Sequence, residues 1–197
     1  VAAGVGADER PSRGASGKSS AGTARGAGGD AGVRDRVRVA GAEANAGRLG
    51  GDCEIVHGEG GGWGRARPAG YILLDAPCSA TGTIRRHPDI PHLKQPGDIA
   101  RLAGLQDRLL AQAAAMLAPG GLLVYCVCSL EPEEGPERIA ALLAADPGLR
   151  RESVAATLPD GLGALVSDDG DLRTLPCHLS YLGGLDGFYA ARLRRLP

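Results

Sequence analysis

The chain is 197 residues long, 43% apolar and 23% charged, the composition of one ordinary soluble domain able to bury a sizeable core. A formal net charge of −1 excludes a protein that holds nucleic acid by bulk electrostatics alone. No run approaches the roughly 18 apolar residues that span a bilayer, and no basic-then-apolar leader opens the chain, so no membrane association is expected.

Five cysteines at no disulfide-framework spacing point to a reducing cytoplasm. Glycine is uneven: nineteen of the 32 fall in the first 70 residues, so the chain reads as two unequal stretches. From Val1 to about Arg38 the residues are mostly Ala, Gly, Ser, Asp and Arg, with almost no Leu or Ile and neither helical nor alternating periodicity. Such composition buries little apolar area against chain entropy, and poor order over 1–40 is expected. Gly14-Ala15-Ser16-Gly17-Lys18-Ser19 resembles a phosphate loop. It lacks a glycine at Ser12, and nothing before it reads as a strand, so a nucleotide-triphosphate site is not expected.

Signal improves after that. Val37 and Val39 close a short strand, Ala42 to Leu49 is compatible with a helix, and Cys53 to Val56 is a short apolar run. Tyr71-Ile72-Leu73-Leu74 is a continuous apolar run, expected to be a strand buried on both faces, and it ends in Asp75-Ala76-Pro77-Cys78. Asp98 is placed to cap a helix with Ile99, Leu102, Leu105, Leu109, Ala113 and Met116 on one face, stopped by Pro119-Gly120-Gly121. Leu122 to Cys128 predicts a second buried strand, and Pro136 to Ala145 a further helix. Leu172 to Leu179 and Phe188 to Leu196 predict two closing strands.

Strand, helix, strand, helix is an α/β pattern, in which chemistry sits beyond the carboxyl ends of the strands. One strand end supplies Asp75 and Cys78, the other Cys128 and Ser129. If the strands are neighbours, the two thiols face one crevice. Only one of Cys126 and Cys128 is expected to face it. Cys53, Cys126 and Cys177 are read as small buried hydrophobes. No histidine lies beside the Cys-x-Cys pair, so no metal is expected. A Cys–His hydrolase would need His57, His87, His92 or His178 at a thiol and stays open as an alternative. Arg85-Arg86-His87 is either a solvated loop or a phosphate contact.

Asp75-Ala-Pro-Cys78-Ser-Ala-Thr-Gly-Thr-Ile-Arg-Arg-His-Pro-Asp89 resembles the fourth motif of the RsmB/NOP (Sun/Fmu) family of RNA cytosine-C5 methyltransferases. Pro119-Gly-Gly-Leu-Leu-Val-Tyr125-Cys-Val-Cys128-Ser-Leu is similar to their sixth motif, and Leu172 to Pro176 with Asp186 to Arg192 to their closing segment. The resemblance implies a Rossmann-like, S-adenosylmethionine-dependent α/β sheet with antiparallel closing strands, a catalytic domain over 41–197, and a monomer. Cys128 would then add to C6 of a cytosine, making C5 nucleophilic enough to take a methyl group. Cys78 would help to remove the C5 proton and release the product, and Asp75 would contact the cofactor or the cytosine edge. The Arg-Arg-His-Pro form is most like the bacterial members acting on 16S ribosomal RNA, the expected partner, with Arg85, Arg86 and His87 as RNA contacts.

The first stretch departs from the family's cofactor loop. Ser12, Arg13, Gly14, Ala15, Ser16, Gly17 and Lys18 fall where that loop belongs, Asp35 where a ribose-binding acid belongs, and Glu59 beside the adenine. Asp75 and Pro77 complete the cofactor set. This altered stretch, with its first strand and cofactor loop degraded, supports a second reading: a non-catalytic remnant with weak or no RNA binding.

Overall fold

Two parallel strands, β2 (Ala69–Asp75) and β3 (Leu117–Val127), form the centre of the sheet in the computed structural model, which describes residues 2–6, 48 and 68–197. All described residues except Arg48 belong to one unit, Val1–Asp8 with Gly61–Pro197. The expected elements at Val37–Val39, Ala42–Leu49 and Cys53–Val56 lie outside the described residues, apart from Arg48, which is helical. Among the described residues no helix is long and apolar enough to cross a membrane.

A parallel pair needs a crossover, and helix α2 (Pro96–Met116) supplies it, after a single turn, α1 (Ile90–Leu93). The cap of α2 is Gln95 rather than Asp98. Asp98 stands three positions into the helix, where its carboxylate accepts the Gln95 N–H at 3.0 Å. The sequence signal is right in chemistry and one turn off in role, because a capping box places its acid at the third helical position.

The buried face of α2 runs through Leu102, Ala103, Gln106, Leu110, Ala113 and Ala114; of the expected line, Leu102 and Ala113 lie on it, and Leu109 and Met116 are half-buried against the core at its margin. A polar residue at the centre of that face, Gln106, displaces the apolar pattern. Leu110 and Ile139 of α3 (Pro136–Ala145) are essentially inaccessible and pack with Ile72, Leu74, Leu123, Tyr125 and Val127. Each such aliphatic side chain contributes about 2 kcal/mol of burial.

The α2 helix ends at Met116, ahead of the Pro-Gly-Gly expected to stop it. Leu117 already has extended backbone, and Pro119 and its neighbours sit inside β3, where the register shifts between Ala69 and Tyr71. Proline keeps the preceding residue extended, and Gly120 takes the positive φ of 73° that the irregularity requires. The β2 strand alternates instead of being buried on both faces. Ile72 and Leu74 are inside, while Tyr71 and Leu73 are 54% and 47% exposed.

Strand β6 (Phe188–Arg195) pairs antiparallel with β3 and also carries β4 (Leu149–Arg151) and β5 (Leu172–Thr174). The expected strand to Leu179 stops at Thr174. Pro176, with no N–H to offer, opens a loop in which Cys177 is exposed, contrary to its reading as a buried hydrophobe. A strand with no signal in the sequence, β1 (Ala2–Gly6), pairs antiparallel with the outer edge of β2. Edge pairing uses backbone groups alone, so Ala-Ala-Gly-Val-Gly needs no alternating pattern to form it. The sheet order is β1-β2-β3-β6-β4, with β5 on β6. The expected α/β sheet with antiparallel closing strands is the architecture found.

Candidate active site

Parallel register sets Asp75 beside Cys126, so the carboxyl ends of β2 and β3 open at the same level. Beyond β2 the chain stays close to its neighbour, with the Ala76 N–H donating to the Cys126 carbonyl at 3.0 Å. The Gln106 amide then donates to the Pro77 carbonyl at 2.9 Å. Ala80 turns the chain through the left-handed region at φ 62°, and the Gly82 N–H donates to the Cys128 carbonyl at 3.1 Å. Gly82 must be glycine: a Cβ there would lie 1.9 Å from the Gly187 carbonyl oxygen. At this end of the sheet the Cys78 and Cys128 sulfurs stand 3.5 Å apart.

The two thiols are electrostatically unequal. A hydrogen bond from Cys78 holds the Cys128 thiol down at about 7, against an ordinary 9.0, with burial opposing. The same bond, burial and the Cys128 charge push Cys78 far up. One thiol of the pair therefore carries the proton and the other is a thiolate near neutrality. That is the condition for a cysteine nucleophile.

Cys126 also turns toward this end. Its thiol lies 3.8 Å from the Asp75 carboxylate and is pushed up to about 12, first by burial and then by that charge. Both cysteines thus reach this end of the sheet, against the expectation of only one: Cys126 through its contact with Asp75, and Cys128, the residue just past the last of β3, through Cys78. Cys126 is buried as expected and stays protonated; Cys128 is half-buried.

Behind the thiols lies a polar cluster that no sequence motif announces. Glu134, fully buried, accepts the Ser79 N–H at 2.9 Å, the Ser129 hydroxyl at 2.6 Å and the Gln106 amide at 3.3 Å. It also accepts the Ser79 hydroxyl. Its own carbonyl receives the Tyr125 hydroxyl at 2.6 Å. Thr81 completes the link by accepting the Leu130 N–H at 2.9 Å. In sequence Glu134 ends Glu131-Pro132-Glu133-Glu134, an acidic run whose ordinary reading is a solvated turn. Only its pairing with a residue 55 positions away reveals it.

Arg85, Arg86 and His87 are exposed. Arg86 pairs with Asp186, its Nε donating at 2.6 Å, and Arg85 donates to the Gly183 carbonyl at 2.7 Å. The two guanidiniums thus clasp the β5–β6 loop to the segment after Cys78. Asp186 is held below the usual carboxylate range, first by the Arg86 hydrogen bond. His178 Nδ1 accepts the Leu175 N–H, and among the described residues no histidine hydrogen-bonds either thiol. The Cys–His arrangement is therefore not formed there. Ser12, Arg13, Gly14, Ala15, Ser16, Gly17, Lys18, Asp35 and Glu59 lie outside the described residues, leaving Asp75 and Pro77 of the expected cofactor set.

A mixed sheet with a crossover helix and a chemically poised pair at adjacent strand ends defines a Rossmann-like methyltransferase domain, and comparison with known proteins agrees. Residues 31–194 match the family described as 16S rRNA methyltransferase RsmB/F, and the chain belongs to that family of enzymes. A Ribosomal RNA small subunit methyltransferase B of Thermus thermophilus is 46% identical over 128 residues, covering 64% of this chain and 29% of that protein. The protein of that name from Pseudomonas syringae pv. tomato is 43% identical over 152 residues, 76% of this chain and 33% of its own. The chain thus spans about a third of the length of these relatives.

Two solved structures from Pyrococcus horikoshii share the fold. A methyltransferase homolog protein matches with TM-score 0.63 and 31% identity, covering 82% of this chain and 51% of its own. NSun6 with SFG matches with TM-score 0.65 and 26% identity, covering 82% and 40%.

Proposed function

We propose that this domain methylates C5 of a cytosine in 16S ribosomal RNA with S-adenosylmethionine, through a covalent bond between Cys128 and C6 of the base. The observation that carries the reading is the thiol pair, 3.5 Å apart at adjoining parallel strand ends, with Cys128 ionising at about 7. Aromatic C5 is a weak nucleophile, and adding a thiolate at C6 raises its electron density, dividing one hard step into two easier ones. The relatives' names supply the RNA, and the SFG named with the archaeal NSun6, an S-adenosylmethionine analogue, supplies the cofactor class.

Asp75 fits a cofactor or base edge: its residue is exposed at the carboxyl end of β2, and among the described residues its side-chain hydrogen-bond contact is the long one to Cys126. When bound, the cofactor supplies the methyl group. Asp75 and Pro77 would help to hold it, with the loop at 12–18, Asp35 and Glu59 completing the set. Cys78 keeps its proton at rest and donates to Cys128. Once Cys128 is bonded to C6 and no longer a thiolate, Cys78 releases its proton to solvent. It then accepts the proton leaving C5, whose C–H electrons form the C5–C6 double bond as the Cys128–C6 bond breaks and Cys128 leaves as a thiolate. Arg85, Arg86 and His87 stand on the rim of the crevice as backbone contacts, and the target base must be unpaired or flipped to enter.

The test is transfer of labelled methyl groups to 16S ribosomal RNA, beside calorimetric titration with S-adenosylmethionine. Cys128→Ala should abolish transfer and leave cofactor binding intact, whereas Asp75→Ala should weaken that binding. Undiminished transfer by Cys128→Ala would overturn the mechanism.

A further inference from the structure

We infer that Glu134 is the positioning residue that sets the separation of Cys78 and Cys128. The inference rests on the function proposed above and extends it to a residue that touches neither thiol. Cys78 and Cys128 lie on separate segments, and among the described residues no backbone bond joins Cys78 itself to β3. The residue after each cysteine is a serine, and both serine hydroxyls converge on Glu134. Ser79 adds its backbone N–H, so one carboxylate grips the Cys78 segment twice and the Cys128 segment once.

The grip is itself fixed from behind. The Gln106 amide spans from Glu134 to the Pro77 carbonyl, and the Tyr125 hydroxyl holds the Glu134 carbonyl. Ser79, Gln106, Ser129 and Glu134 are all buried to within 1% of full inaccessibility, so water does not compete for these bonds. Hydrogen bonds to an ionised acceptor are about twice as strong as neutral ones, and a densely connected network of this kind favours one geometry. A carboxylate shared by the two serines therefore fixes where both neighbouring thiols stand.

Two variants of the full chain separate shape from charge. Glu134→Gln keeps the shape: its amide oxygen still accepts the Ser79 N–H, and its NH2 donates to hydroxyls that can turn to accept. Glu134→Ala removes the grip. The first readout is the rate of Cys128 alkylation by iodoacetamide against pH, located by peptide mass spectrometry, which needs neither RNA nor cofactor. The second is the kcat for methyl transfer, beside the cofactor Kd.

In Glu134→Gln the alkylation midpoint should move below that of wild type, because the carboxylate's charge opposes ionisation of Cys128. Its kcat should stay within about threefold of wild type, as the geometry is kept. In Glu134→Ala the midpoint should move up, as Cys78 is no longer held to donate, and kcat should fall about 100-fold at nearly constant cofactor Kd. Wild-type midpoint and kcat in a folded Glu134→Ala would overturn the inference. If that variant does not fold, Ser79→Ala and Ser129→Ala, each of which removes one hydroxyl from the carboxylate, take its place, and wild-type midpoint and kcat in both would overturn the inference. A chain that transfers no methyl in any form would sink the proposed function while leaving the alkylation test of Glu134 decisive.

Discussion

Cys78 Sγ lies 3.5 Å from Cys128 Sγ across 50 residues of sequence, and the two thiols hold one proton between them near neutral pH. The sign of the coupling predicts the effect of removing one partner. Cys128 ionises at about 7 chiefly because Cys78 donates to its thiolate, so losing the donor favours the protonated form. In Cys78→Ala the Cys128 alkylation midpoint should climb from about 7 toward 9.0. At neutral pH the reactive fraction then falls by up to about 50-fold. A midpoint that stays at the wild-type value would show that another group ionises Cys128.

The closeness of the Cys78 segment to the β5–β6 loop predicts a packing effect with no chemistry in it. A methyl group on Gly82 would overlap the Gly187 carbonyl, which is backbone and cannot swing aside. Gly82→Ala should cost about 2 to 4 kcal/mol and lower the Tm by roughly 5 to 10 °C. Because Gly82 also donates to the Cys128 carbonyl, alkylation of Cys128 should change in parallel. A variant as stable as wild type would mean that the two segments are not held this close in solution.

The clasp of Arg86 on Asp186 predicts how the rim meets RNA. Both groups are at the surface, where an ion pair adds little stability, so Asp186→Asn should leave the Tm nearly unchanged. It frees one guanidinium for phosphate. RNA affinity at low salt should rise severalfold, and the slope of log affinity against log salt should steepen by about one. An unchanged slope would remove Arg86 from the proposed RNA contacts.

Tyr125 tests the back of the site. Its hydroxyl donates to the buried carbonyl of Glu134, and burial raises its own ionisation well above the ordinary range, so it acts as a donor throughout the working pH range. Tyr125→Phe leaves that carbonyl unsatisfied in the protein interior. It should cost about 1 to 3 kcal/mol, read as a lower urea midpoint with unchanged slope.

Features that depend on local pattern are legible in the order of the amino acids. The apolar run at Tyr71–Leu74, the second at Leu122–Val127 and the spacing along α2 predict the parallel pair and its crossover. They also place Asp75, Cys78 and Cys128 at the strand ends. Helix α3 begins and ends where its residues predict, because Pro136 and the Asp146-Pro147 pair are local signals. The closing strands are legible in kind, though the first is shorter than its run suggests, since nothing local says where a strand ceases to find a partner.

Tertiary structure alone decided the rest. It turned Tyr71 and Leu73 outward, paired Ala2–Gly6 on the sheet edge through backbone groups, and gave Arg85 and Arg86 a protein partner. It also made Glu134 and Gln106 the hidden frame of the site. A buried carboxylate looks like a surface one in sequence, because its cost of burial is offset only by donors that the fold brings from distant segments. The paired thiols obey the same logic: each cysteine is written in its own motif, but the separation that lets one lower the other's pKa exists only when β2 and β3 lie side by side.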